Sequence, residues 1–174
     1  NGEHGGLDGH LTTNPGYNRA CEMREKVKTS DQGEFFKAIQ TAYAPEYEVS
    51  NPEMDSLHRP DDPLVVTYDL KITPDTSSDI FYFNPMLSEG YKTNPFKTAD
   101  RKYPVEMPYA MDEVYTLNME VPKGYTVDEM PKPAKVLFNE DEGFFEYLLQ
   151  RSDDVIQFRS RIKLNKANFT PEDY

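Results

Sequence analysis

The stretch RKYPVEMPYAMDEVYTLNMEVPKGYTVDEMP, Arg101 to Pro131, decides the fold. From Val114 to Val121, Tyr115, Leu117, Met119 and Val121 fall on one side of an extended chain and Thr116, Asn118 and Glu120 on the other. That is the period-2 pattern of a half-buried β-strand. Pro122 cannot donate a ladder hydrogen bond and Gly124 tolerates positive φ. The strand is therefore expected to stop and turn at Lys123 and Gly124 before Tyr125 and Val127 resume it.

Downstream, Ala134 to Asn139 and Phe144 to Leu149 flank the acidic turn residues Asn139 to Gly143 and predict a hairpin. A last run places Ile156, Phe158, Ile162 and Leu164 on one face, with Gln157, Arg159, Arg161 and Lys163 outside. Upstream, Leu64, Val66, Tyr68, Leu70 and Ile72 alternate with Val65, Thr67, Asp69 and Lys71, the most regular strand signal in the chain. Ile80 to Phe83 is apolar on both faces, as a central strand would be, and Tyr47 and Val49 begin another strand before the Pro-punctuated segment from Asn51 to Pro63. Asn1 to Thr13 reads as a turn or weak hairpin around Asp8 and Gly9.

Between these lies helical spacing. Asn14 and Pro15 form a start signal for Tyr17, Ala20, Cys21, Arg24 and Val27; Ser30, with Asp31 and Glu34 in the first turn, introduces Phe35, Phe36, Ile39, Ala42 and Tyr43. Many short strands joined by Pro and Gly turns, with no helices between them, imply antiparallel pairing, because parallel pairs need long crossovers. The expected fold is mainly β: an antiparallel β-sandwich, immunoglobulin-like in style, over residues 46–174, with a Gly-rich lead-in and two short helices packing on it from residues 1–45.

Composition narrows the function classes. The chain has 174 residues, of which 37% are apolar, with 12 Tyr, 10 Phe and no Trp, so the core is expected to be aromatic. Its formal net charge of −12 repels phosphate backbones and anionic membrane surfaces, which argues against nucleic acid as a partner. No apolar run of about 18 residues is present, so membrane insertion by this segment is not expected. A first residue other than Met, in a Gly-rich stretch, leads to the expectation that the chain is a segment of a longer protein.

The order GYNRACEMREKV, PLVVTYDL, IFYFNPML, NPFK, RKYPVEMPY, VPKGYTVDEMP and PEDY, from Gly16 to Tyr174, resembles the C-terminal β-rich domain of bacterial transglutaminase-like proteins. The resemblance is carried most by Arg101, Pro104 and Val105 and by Pro122, Gly124, Tyr125 and Pro131. It implies a non-catalytic accessory domain of a periplasmic or cell-envelope protein, with the upstream domains of the same polypeptide as partners, and a protein or glycan of the envelope as a further one. The catalytic Cys, His and Asp of that family lie upstream of the matched region, so no catalytic residue carries over. The alternative is a stand-alone carbohydrate- or protein-binding β-sandwich.

Individual residues add little chemistry. Cys21, with His4, His10 or His58 as base and Asp61 or Asn51 orienting it, is the nominal nucleophile set. Its place inside a helix, on the face with Tyr17, Ala20 and Val27, reads instead as a buried structural thiol. Acidic clusters at Asp61 and Asp62, Glu140 to Glu142, and Asp153 and Asp154 lack the spacing that wraps a loop around Ca²⁺ and read as solvated turns. Carboxylate pairs for glycoside hydrolysis have no sequence support. No catalytic, cofactor-binding or metal-ligating residue is expected. The binding candidates are Tyr91, Phe96, Tyr103 and Tyr109, aromatics in irregular Pro-rich segments where alternation does not turn them inward. They either form a docking surface or plug an open end of the sandwich.

Overall fold

The computed structural model describes residues 6–45, 47–73, 80–94, 96 and 102–173. The protein is mainly β, with 41% strand against 18% helix, and its described sheets are antiparallel. Two compact units divide the chain, Asn1–Phe83 and Asn84–Tyr174, and the switch of period near Pro45 lies inside the first.

The first unit holds β1 (Leu7–Thr13), α1 (Tyr17–Ser30), α2 (Gln32–Tyr43), β2 (Tyr47–Asp55) and β3 (Val65–Ile72), with sheet order β1-β3-β2. The middle strand is the one whose alternation is cleanest: Leu64, Val66, Tyr68 and Leu70 are buried in turn. Tyr68 meets Tyr43 of α2 edge-on at 5.8 Å, with the two hydroxyls 3.3 Å apart. Phe35 and Phe36, T-shaped at 5.5 Å, complete the buried face of α2.

Several local expectations change. Asp8 and Gly9 do not turn: β1 runs through them and pairs with β3 from Leu7↔Ile72 to Thr13↔Val66. A distant strand supplies the hydrogen bonds that a local turn would otherwise need. The next strand, β2, continues through Asn51 and Pro52 by a bulge between Ser50 and Glu53, with Asn51 at φ 48°. The α1 helix begins after Gly16 with no side-chain cap, so Asn14 does not cap it, and Tyr17 is exposed. Asp31, not Ser30, caps α2, accepting the Glu34 N–H at 2.8 Å. Ile80 to Phe83 forms no strand, and Ile80 and Tyr82 are exposed; an all-apolar tetrapeptide carries no period to fix a face. The loop expected at Pro74 to Asp79 lies outside the described residues.

Arg24 ties α1 to the connection before β3. Its Nη2 donates to the carbonyls of Ser56, Arg59 and Asp62 at 3.0, 3.0 and 2.9 Å. Arg59 in turn pairs with Asp55 and Asp62, each at 3.1 Å. The Ser56 and Arg59 carbonyls also accept the Arg59 and Asp62 N–H groups, so one guanidinium clamps two successive turns to α1.

The second unit contains β4 (Val105–Glu106), β5 (Met111–Glu120), β6 (Ala134–Phe138), β7 (Gly143–Ser152), β8 (Val155–Leu164) and β9 (Asn168–Phe169). Its main sheet has the order β5-β8-β7-β6, and β4 pairs with β9. The register aligns Leu117, Phe158 and Leu149, then Tyr115, Ser160 and Tyr147, on one apolar face. The other face carries Asp112, Arg161, Arg159 and Glu146, where Arg161 grips Asp112 with two bonds of 2.7 Å and Arg159 reaches Glu146 at 3.0 Å. The β5 strand ends as expected: Gly124 has φ 89°, and the Tyr125 N–H donates to the Pro122 carbonyl at 3.1 Å. No strand resumes at Tyr125 or Val127. The β6–β7 hairpin turns through Asn139 and Glu140, at φ 44° and 59°. Gly143 follows because a Cβ there would lie 2.6 Å from the Lys163 carbonyl oxygen of the neighbouring strand. Lys166 holds the end of the chain, bonding Glu142 and, at 3.0 Å, Asp173.

Three outcomes follow for stability. Gly143→Ala forces β7 and β8 apart and is expected to cost about 1–3 kcal/mol in chemical denaturation; wild-type stability would contradict the close approach. Arg24→Met keeps the aliphatic stem but removes the charged donor that ties α1 to the Ser56, Arg59 and Asp62 carbonyls, for a loss of about 1.5–3 kcal/mol in the same measurement. Arg161 holds the Asp112 carboxyl below its ordinary range, Lys166 and Asn139 do so for Glu142, and the Thr170 N–H followed by Lys166 for Asp173. Folded-state values below the unfolded ones mean that this stabilisation is complete above the ordinary carboxylate range and is lost as pH falls through the lowered values. The melting temperature should therefore drop on acidification below about pH 4. Asp112→Asn combined with Asp173→Asn should flatten that slope, and an unchanged slope would contradict the assignment.

Candidate functional site

The four aromatic candidates sit in or beside the irregular segments before β5, where no ladder fixes side-chain direction. Tyr91 is 68% exposed and Tyr103 78%; Phe96 is 37% exposed and Tyr109 half-buried. The Tyr91 hydroxyl lies 3.9 Å from Sδ of Met111, the first residue of β5, which anchors this segment at the β5 edge of the sheet. Phe96 begins with an Asn94 turn, its N–H bonding the Asn94 side chain at 2.9 Å. Tyr91 and Tyr103 thus expose much of their side chains, and aromatic groups of this kind bury large area on contact with a partner.

A polar triad that the one-dimensional pattern does not reveal crosses the three-stranded sheet. His10 on β1 and Asp69 on β3 are register partners, with Nδ1 and Oδ1 2.8 Å apart, and Asn51 on β2 donates to the other carboxylate oxygen at 2.8 Å. Asn51, then His10, lowers the Asp69 pKa. The bulge that puts Asn51 at positive φ aims its amide at Asp69. A carboxylate at Nδ1 favours the proton on that nitrogen and leaves Nε2 as an acceptor, the orientation used for metal ligation or proton transfer. Among the described residues no group of three or more His, Cys, Asp or Glu side chains could hold a metal ion.

The nominal nucleophile set is not assembled around Cys21. His10 projects from the sheet face opposite Tyr68, whereas Tyr68 meets α2. Cys21 is a half-buried free thiol on α1, Asn51 serves Asp69, and His58 is exposed; His4 lies outside the described residues, as does Arg101. The acidic clusters occupy connections: Asp62 pairs with Arg59, Glu142 with Lys166, and Asp153 and Asp154 form the two-residue β7–β8 turn. An open groove of about 490 Å³ runs between α2 and β2, lined by Gly33, Phe36, Lys37, Gln40, Val49 and Pro52. Its walls are mostly apolar, with Lys37 and Gln40 as the polar lining residues. No described helix is long and apolar enough to cross a membrane.

Comparison with known proteins gives one family. The model of a domain of unknown function with solved structure, DUF3858, matches residues 79–174. Among curated proteins and among solved structures, none matches. The matched residues make up more than half of the chain and contain the whole second unit, with its β5-β8-β7-β6 sheet and the segments bearing Tyr91 and Tyr103. The chain belongs to this DUF3858 family of domains of unknown function.

Proposed function

We propose that the chain is a non-catalytic accessory and interaction domain of a transglutaminase-like protein of the bacterial cell envelope, located in the periplasm. In this reading the four-stranded sheet is one layer of an immunoglobulin-style antiparallel sandwich, and the domain positions the catalytic core of the same polypeptide or its substrate. The exposure of Tyr91, whose hydroxyl meets Met111 at the edge of the four-stranded sheet, and of Tyr103, just before β4, carries the reading. Rings held on a framework lose little conformational freedom on contact, so they serve well as anchors at an interface. The charged groups on the sheet's polar face support the same view, since Arg159 and Arg161 are engaged by Glu146 and Asp112. They act as framework, and the aromatic tips supply the contact.

The test is made in the parent polypeptide. Tyr91→Ser with Tyr103→Ser is expected to raise KM for a protein substrate about fivefold or more, with kcat nearly unchanged, because uniform binding is removed and chemistry is not. An unchanged melting temperature shows that the variant folds. A wild-type KM in the folded variant would contradict the positioning role, and a reading frame without an upstream papain-like core would contradict the domain context.

A further inference from the structure

The outer edge of the four-stranded sheet has a composition unlike the rest of this acidic chain. From Met130 to Asn139 the sequence MPKPAKVLFN contains Lys132 and Lys135 and no acid, and Glu140, Asp141 and Glu142 follow at once. The strand inside it, β6, is the last of its sheet and, among the described residues, pairs on one side only, with β7. Its side chains are exposed on both faces, Val136 at 63% and Leu137 at 61%. Behind them on β7, Phe145 shares the face of Val136, and Leu148 shares that of Leu137; both are exposed. An edge strand with open backbone groups and apolar side chains is a template for another strand.

The order basic, apolar, acidic is self-complementary when reversed. Two copies aligned antiparallel about Val136 set Val136 against Val136 of the partner subunit and Ala134 against Phe138 of the partner subunit on one face. On the other face Lys135 lies beside Leu137 of the partner subunit. The same register brings Lys132 alongside Glu140 of the partner subunit, twice by symmetry. Moving the axis one residue to Lys135 would oppose two like charges. Lys132 and Glu140 are both exposed, and neither has an ion pair within the chain among the described residues. We infer that β6 is a homotypic edge, and that the partner it fits is β6 of a second copy, joining two four-stranded sheets into one continuous antiparallel sheet. Pro131, Pro133 and the five-residue length of β6 keep the pairing short. A weak, reversible dimer results, since the strand pair is small against a standard interface. Tyr91 packs at β5, the opposite edge of the same sheet, so dimerisation leaves that surface available.

Sedimentation equilibrium of the 174-residue chain, loaded from about 5 to about 500 µM, tests this. The expected result is a monomer–dimer equilibrium, weakened about tenfold or more by Val136→Lys. Lys132→Glu and Glu140→Lys should each weaken it about threefold or more when tested alone. An equimolar mixture of these two variants, or the double variant Lys132→Glu/Glu140→Lys, should recover the original association, because each charge again meets its opposite. Both charge changes lie on exposed residues, so loss of folding does not obscure the readout; circular dichroism checks the Val136→Lys variant. A chain that stays monomeric at the highest loading would overturn the proposal. So would a dimer indifferent to Val136→Lys, or charge variants that do not restore one another. None of these outcomes bears on Tyr91 and Tyr103, whose role is decided separately by KM.

Discussion

Ser160 is the constraint on which the second unit depends. It is 6% exposed in the middle of β8, directly between Tyr115 on β5 and Tyr147 on β7. A hydroxymethyl group at that point leaves room for both rings to lean over Phe158, 6.0 and 6.5 Å away between centroids. A large side chain at position 160 would push the rings off the sheet, and a slip of one residue would exchange the Phe158 face for the Arg159 face. The row therefore sets register and face together, and the ion pairs of the opposite face follow from it. Asp112 meets Arg161 only because Tyr115 is opposite Ser160.

That arrangement gives the charged groups of the four-stranded sheet a structural part. Glu146 sits between Arg159 at 3.0 Å and Lys135 at 3.7 Å, and Lys135 and Arg161 also stand over the Phe144 ring at 4.5 and 5.5 Å. These groups hold neighbouring strands in register on a half-solvated face. In the first unit Arg24 reaches from α1 to the connection before β3, so α1 and the segment from Ser56 to Asp62 are held as one piece. Outside the ladders, Tyr91 and Tyr103 remain largely exposed.

Much of this could be read in one dimension. β3, β5, β8 and the β6–β7 hairpin each carry complete period-2 alternation or strong turn residues, so local chemistry and global pairing agree. β1 is different, because Asp8 and Gly9 form a local turn signal that is overridden by pairing with residues some sixty positions away, as His10↔Asp69 shows. Ile80 to Phe83 failed for the opposite reason: with no polar residue there is no phase to read. The helix caps shifted by one or two positions because Ser30, Asp31 and Asn14 all have capping chemistry, and backbone geometry chooses among them. For the candidate site, the lack of alternation around Tyr91 and Tyr103 was the usable signal. The His10, Asp69 and Asn51 triad had none, since only the register of three strands assembles it.

Amide hydrogen exchange, resolved residue by residue, is the most direct measurement of the division between a ladder-fixed framework and an exposed aromatic surface. Slowest exchange in β3 and β8, each paired on both sides, with rapid exchange at Tyr91 to Asn94 and at Lys102 and Tyr103, is the expected result. Protection at Tyr91 and Tyr103 equal to that of Phe158 and Ser160 would contradict it, because those rings would then belong to a core.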